Sequence, residues 1–211
     1  MYMTVLKYSR DTLMECQRRL AASPGGRGSY VMRLDDGEFM HRWVTSQFHC
    51  RRDEGGLLYR VIRKRDASWL YIQSADPFMK ADLDRTGMEL ASETELGAPA
   101  ASEPVIFSIV CTPVREKLHG KAFIADPAER KAWLMGKLGG CMDMMSMDEI
   151  RTLKLSVKGP SGDKSRHAMG AAEYAGIAEV KDPELFMETV ARGIGKAKNY
   201  GAGLLLYAPI R

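Results

Sequence analysis

Apolar and polar positions alternate from Met1 to Tyr8, the pattern of a strand with one buried face. Arg10–Ala21 has helical composition, and Ser23-Pro24-Gly25-Gly26-Arg27-Gly28 reads as a loop. Asp36 stands ahead of Phe39, Met40, Trp43 and Val44, which are apolar at helical spacing, so an N-capped helix ending near Cys50 is predicted. Leu57–Arg65 and Ser68–Gln73 read as a hairpin around Asp66-Ala67. A short helix over Pro77–Leu83 and a weak strand near Met88–Leu90 complete the order strand, helix, strand, strand, helix, strand.

The stretch 98–104 is rich in Ala and Pro and reads as a linker between residues 1–97 and 105–211. Beyond it Val105–Thr112 is a strand, and Asp126-Pro127 caps and opens a helix that carries Trp133, Leu134 and Leu138 and closes at Gly139-Gly140. Thr152–Val157 is a strand, Ala168–Val180 a strand of small residues, Asp182–Val190 a helix and Leu204–Ala208 the last strand. The methionines of Met144–Met147 read as core or loop filler rather than as metal ligands. The same six-element order occurs twice, which predicts an α+β chain of two tandem ferredoxin-like (RRM-like) domains.

Composition narrows the class. The chain has 211 residues, 45% of them hydrophobic, enough for one large core or two small ones. No apolar run approaches the roughly 18 residues of a membrane span, and Met1–Lys7 is too polar for a secretion signal. Cys16, Cys50, Cys111 and Cys141 are scattered without CxxC spacing, which argues against a zinc ribbon and suits reduced thiols in the cytoplasm. A net charge of +4 is only mildly basic, but its distribution is uneven. Arg51, Arg52, Arg60, Arg63, Lys64 and Arg65 form one basic cluster, and Arg151, Lys154, Lys158, Lys164 and Arg166 another. Asp76, Asp82, Asp84, Glu89, Glu93, Glu95 and Glu103 make the region between them acidic. Such alternation suggests a positive face directed at a polyanion. Each cluster alone is equally well read as a solvated strand edge.

The densest chemistry lies near the end, where Gly193-Ile194-Gly195-Lys196-Ala197-Lys198-Asn199-Tyr200-Gly201-Ala202-Gly203 holds four glycines and two lysines with no acid. Glycine lets backbone approach a phosphate, and the lysines, with Arg192 just upstream, add charge there. Two known phosphate loops do not fit. Gly195-Lys196 is followed by Ala197, not the Ser or Thr of the Walker loop. The dinucleotide fingerprint runs strand, glycines, helix, whereas here a helix precedes the glycines. A plainer reading makes Gly193 a helix C-cap and Gly201 and Gly203 strand kinks.

His41, His49, His119 and His167 show no metal-ligand spacing, so chemistry without a metal or cofactor is favoured. His41 lies near the start of the first predicted long helix; as a surface residue it would be unremarked, but imidazole also serves as general acid or base near neutral pH.

At these residues the chain resembles a family. GIGKAKNYGAGLLLYAP, from Gly193 to Pro209, is similar to the glycine-rich signature of CasE-type CRISPR-associated endoribonucleases, the repeat-cutting subunits of type I-E Cascade. Asp36 to Phe48, with His41 between, resembles their first helix, and Asp126 to Gly139 a helix of their second domain. The resemblance implies two ferredoxin-like domains and a metal-independent endoribonuclease. Such an enzyme binds the CRISPR repeat stem-loop and cuts pre-crRNA at its 3′ base. It leaves a 5′-hydroxyl and a 2′,3′-cyclic phosphate and stays on the crRNA hairpin beside other Cascade subunits. It implies His41 as general acid or base, with Arg42 beside the scissile phosphate; Glu38, three residues before His41, is the further candidate for the catalytic site. Arg192, Gly193, Gly195, Lys196, Lys198 and Asn199 would hold RNA backbone, and Lys154, Lys158, Lys164 and Arg166 would follow a hairpin groove read by shape.

The chain also departs from that family. Glu38 stands where many members have tyrosine, and a carboxylate there would repel phosphate or favour protonated His41. The Ile109–Pro113 stretch lacks the family's arginine, and the segment around residues 10–28 is longer than usual. A member that caps the crRNA hairpin and cuts slowly or not at all is therefore the alternative. A tandem RRM protein for single-stranded RNA is disfavoured, because Trp69 and Tyr71 lack the flanking glycine pattern of a stacking strand.

Overall fold

The computed structural model describes residues 1–9, 11, 12, 14, 40, 41, 43–45, 57–65, 67–78, 88–118, 120–158 and 166–210. Two compact units divide the chain, Met1–Leu96 and Gly97–Arg211.

In the first unit four strands, β1 (Tyr2–Tyr8), β2 (Leu58–Arg63), β3 (Ser68–Ser74) and β4 (Glu89–Glu95), form an antiparallel sheet in the order β2-β3-β1-β4. The alternation read in β1 holds in part: Thr4, Leu6 and Tyr8 are buried on one face, and Val5 on the other is buried as well. Leu6 and Tyr8 meet Tyr59, Leu70 and Ile72 in a core that Met40, Trp43, Val44, Phe78 and Met88 complete. Residues 40, 41 and 43–45 are helical. Residues 11, 12 and 14 are helical within the predicted Arg10–Ala21 helix; the rest of that helix, the Ser23–Gly28 loop and the predicted helix beyond Phe78 lie outside the described residues.

The weak strand near Met88–Leu90 is longer than its composition suggests, running to Glu95. Glu93 explains part of this, since its carboxylate accepts from the Thr4 hydroxyl at 3.2 Å and from the Phe78 N–H at 2.7 Å. An acidic strand is thus tied in by side-chain hydrogen bonds in addition to its ladder with β1 and the packing of Leu90 on the core.

The second unit has β5 (Pro104–Cys111), β6 (Val114–Lys117), β7 (Gly120–Phe123), α1 (Pro127–Leu138), β8 (Met142–Lys158), β9 (Arg166–Val180), α2 (Pro183–Arg192) and β10 (Leu205–Pro209). Its sheet runs β10-β5-β9-β8, all neighbours antiparallel. In both sheets the first strand lies between the third and fourth of its unit, and the second is at an edge. That is the ferredoxin-like strand order, met twice. Asp126 caps α1 by accepting from Glu129 N–H at 2.8 Å, and Asp182 caps α2 by accepting from Leu185 N–H at 3.0 Å. Proline follows each cap in the first turn, where its missing N–H costs nothing. Residues 100–103 make a turn closed by Glu103 N–H to Ala100 C=O at 3.1 Å and joined to the end of β9 by Ser102 N–H to Val180 C=O at 2.7 Å.

Two features differ from the pattern reading. β8 begins at Met142, not Thr152, and takes the 144–147 methionines into a strand of 17 residues. Its register slips between Met144 and Ser146 and again between Glu149 and Arg151. Each slip reverses the side-chain alternation, so no single period-two pattern spans the strand. Met147 is buried, whereas Met145 is 61% exposed. The second difference is the β6–β7 hairpin, an addition to the six-element order. Its Phe123 ring lies on β9 where Gly170 leaves room, for a Cβ there would sit 2.5 Å from the ring.

Candidate nucleic-acid interface

His41 stands on a helical segment whose Met40, Trp43 and Val44 are at positions i, i+3 and i+4, and these enter the core of the first unit. One step along the helix, about 100° round its axis, His41 is half-buried at the edge of that stripe. The Thr45 hydroxyl donates to the His41 carbonyl at 2.8 Å, tying the same turn together. Glu38 and Arg42, predicted beside it, lie outside the described residues, as do His49, His119 and Lys164.

The glycine-rich segment follows α2 directly. Gly193 closes that helix with φ +66°, and its N–H donates to Thr189 C=O at 3.0 Å, so the C-cap reading is correct for this one glycine. The rest is a closed loop pinned to the end of β5. Ile194 N–H donates to Gly203 C=O at 2.9 Å, and Gly203 N–H to Val110 C=O at 2.7 Å. Ala197 and Ala202 pack with Val110, Ala171, Leu153 and Leu155. A 3-10 turn, Lys198–Tyr200, lies between and includes the half-buried Asn199.

The two lysines have different situations. The Lys196 side chain is exposed. Its backbone is gripped by the fully buried Thr112, whose hydroxyl accepts from Lys196 N–H at 2.9 Å and donates to Lys196 C=O at 3.0 Å. On either side the chain turns left-handed, at Gly195 (φ +84°) and Ala197 (φ +58°). For alanine that costs about 1–2 kcal/mol. At Gly195 a Cβ would also lie 3.2 Å from the Trp133 ring and 3.5 Å from the Thr112 hydroxyl. Lys198 instead turns back, and its ammonium donates to the Arg192 carbonyl at the end of α2. Burial, with Arg192 nearby, lowers its pKa. It neutralises the negative end of the helix, while the Arg192 side chain is exposed.

Of the second basic cluster, Lys154 is exposed and alternates with Leu153 and Leu155, so it leaves β8 on the face opposite the one the loop covers. Lys158 and Arg166 form the last pair of the β8–β9 register. Lys154 and the glycine loop therefore lie on opposite faces of that sheet.

Three features were not read from the sequence. One is Thr112, signalled only by a hydroxyl before Pro113 at a strand end. Another is the basic hairpin, where Lys121 pairs with Glu116 at 2.6 Å. That hydrogen bond chiefly lowers the Glu116 pKa, with Lys196 adding to it, so the hairpin and the loop share one electrostatic neighbourhood. The third is a part-buried network under the hairpin root. Arg130 donates to both carboxylate oxygens of Glu149, at 2.9 and 2.6 Å, and to the carbonyls of Ile124 and Ala125. The Tyr174 hydroxyl donates to Glu149 at 2.7 Å. The guanidinium holds Glu149 below the usual carboxylate range, and burial pushes the neighbouring Cys111 thiol up to about 12.

The described residues thus form two ferredoxin-like units, the first carrying His41 on a helical segment and the second an exposed Lys196 in a pinned glycine loop. The chain matches the CRISPR associated protein family over residues 1–209 and belongs to it. It is 30% identical to the CRISPR system Cascade subunit CasE of Escherichia coli (strain K12) over 83 residues, a match spanning 39% of this chain and only 40% of that protein. Its fold is similar to that of CRISPR endoribonuclease Cse3 bound to a 19-nucleotide RNA, with TM-score 0.81 and 21% identity, covering 99% of this chain and 100% of the other. It is also similar to Cas6e from Escherichia coli K-12, with TM-score 0.69 and 18% identity over the whole of both chains.

Proposed function

We propose that this protein is a metal-independent endoribonuclease that binds the stem-loop of a CRISPR repeat and cuts the precursor RNA at the 3′ base of the stem. The single observation that carries the reading is the family match from residue 1 to 209. The RNA-bound Cse3 fold and the Cascade subunit named among the relatives point the same way. In this reaction the ribose 2′-oxygen attacks the adjacent phosphorus and loses its proton. The 5′-oxygen leaves and gains one, so the products are a 2′,3′-cyclic phosphate and a 5′-hydroxyl. His41 moves one of these protons, an effect of roughly a hundred- to ten-thousandfold in rate. Arg42 and Glu38 flank the phosphate. Lys196 holds RNA backbone, with Arg192, Gly193, Gly195, Lys198 and Asn199 shaping the loop, and Lys154, Lys158, Lys164 and Arg166 follow the stem. The product hairpin stays bound within a Cascade-type assembly in the cytoplasm.

The reading is tested on labelled repeat hairpin RNA in EDTA. The wild type cuts; His41→Ala, and RNA with a 2′-deoxy sugar at the cut site, both stop cleavage while binding persists. Cleavage that requires an added divalent ion, or survives in His41→Ala, overturns it. Glu38 favours a second reading, a subunit that caps the hairpin without efficient cutting. Tight binding that leaves the RNA whole identifies that case.

A further inference from the structure

We infer that Thr112 is the positioning residue that sets Lys196 against an RNA phosphate; this rests on the RNA-binding reading above. Thr112 is wholly buried, yet both hydrogen-bonding capacities of its hydroxyl go to one residue, Lys196, whose own side chain is exposed. A hydroxyl that takes the N–H and the C=O of the same residue fixes the orientation of the two peptides around it, and hence the direction of its Cα–Cβ bond. Ala197, next along the chain, is held left-handed at φ +58° without being a glycine, which makes this a strained position. Strain of that kind persists only where the surroundings over-determine it, and it concentrates at binding sites. The loop glycines alone do not supply the constraint, because they enlarge rather than restrict backbone choice. The clamp comes from the residue that follows β5, the strand that also receives Gly203 through Val110. The loop is thus tied to the end of the sheet at two places, Thr112 and Val110. The lysine is presented at fixed direction to a phosphodiester, while Lys198 is spent on the end of α2.

The test uses the full chain and a repeat hairpin RNA made uncleavable by a 2′-deoxy sugar. Affinity is measured against salt for the wild type, Thr112→Val, Thr112→Ser, Lys196→Ala and the double variant T112V/K196A. Because one lost phosphate contact lowers the salt slope by about 1, T112V and K196A each show that loss, with affinity down roughly tenfold at low salt. T112S keeps the wild-type slope. The double variant binds RNA no worse than K196A, although its thermal midpoint is lower. A purely structural role for Thr112 would lower that midpoint, leave the slope intact and make the two RNA-binding losses add. A wild-type slope in T112V, or additive losses, overturns the inference alone. Absence of salt-sensitive binding by the wild type overturns the RNA reading and this inference with it. Should T112V lack a cooperative melt, Thr112→Ala is read in its place with the same expected slope.

Discussion

In the first unit a histidine is placed by apolar anchors: Met40, Trp43 and Val44 enter the core, and His41 follows from the turn of the helix. In the second a lysine is placed by hydrogen bonds: Thr112 holds both peptides of Lys196, and Val110 holds Gly203. The sheets beneath have the same strand order. Yet the strands of the first are 6 or 7 residues long, while β8 and β9 of the second reach 17 and 15. One topology thus supports two ways of aiming a side chain. Apolar packing sets which face of a helix points outward. Directional hydrogen bonds are needed where a loop has no periodicity to set the direction for it.

The largest effect separates chemistry from placement. His41→Ala is expected to cut single-turnover cleavage roughly a hundred- to ten-thousandfold, with hairpin affinity within about twofold. Trp43→Ala is expected to lower stability by about 3–5 kcal/mol and to expose amides of the first sheet to hydrogen exchange, while β8 and β9 stay protected. Loss of protection in both units at once would show that they do not melt separately.

The second unit gives the polar counterpart. Arg130→Ala leaves the Glu149 carboxylate beneath the hairpin without its guanidinium and is expected to cost about 1–3 kcal/mol, whereas R130M/E149L/Y174F, which removes the whole network, is near neutral. Equal losses in denaturant midpoint would show that apolar filling does not substitute here. Glu149 is held below its unfolded value of about 4.3, so its contribution is complete above that pH and is lost as pH falls through the folded value. Glu149→Gln should therefore flatten the acid side of the stability profile.

Smaller again, Gly195→Ala places a Cβ against Trp133 at φ +84° and is expected to cost about 1–2 kcal/mol, read by thermal melting. The least effect is chemical. Cys111, its thiol pushed up to about 12, should resist alkylation at pH 8 until denaturant is added, as peptide mass mapping would record.

Much of the fold was legible along the chain. The helix caps Asp126 and Asp182, the alternation of β1 and the doubled element order are local signals, because each depends on residues within a turn or a strand of one another. The glycine loop was legible for the same reason, and so was the i, i+3, i+4 stripe beside His41. What local pattern could not carry was anything fixed by a partner far along the chain. The Met144–Met147 region became strand through pairing with β9 across two register slips, and Glu89–Glu95 through pairing with β1. Thr112 and Lys196 are 84 positions apart, so neither residue announces the other. The equal-looking lysines of the loop were likewise distinguished only by folding, which tied one, half-buried, to the end of α2 and left the other exposed. Composition and periodicity thus determined which elements form and what chemistry they carry. Tertiary structure decided where each charge points, because direction depends on hydrogen bonds that close only when distant segments meet.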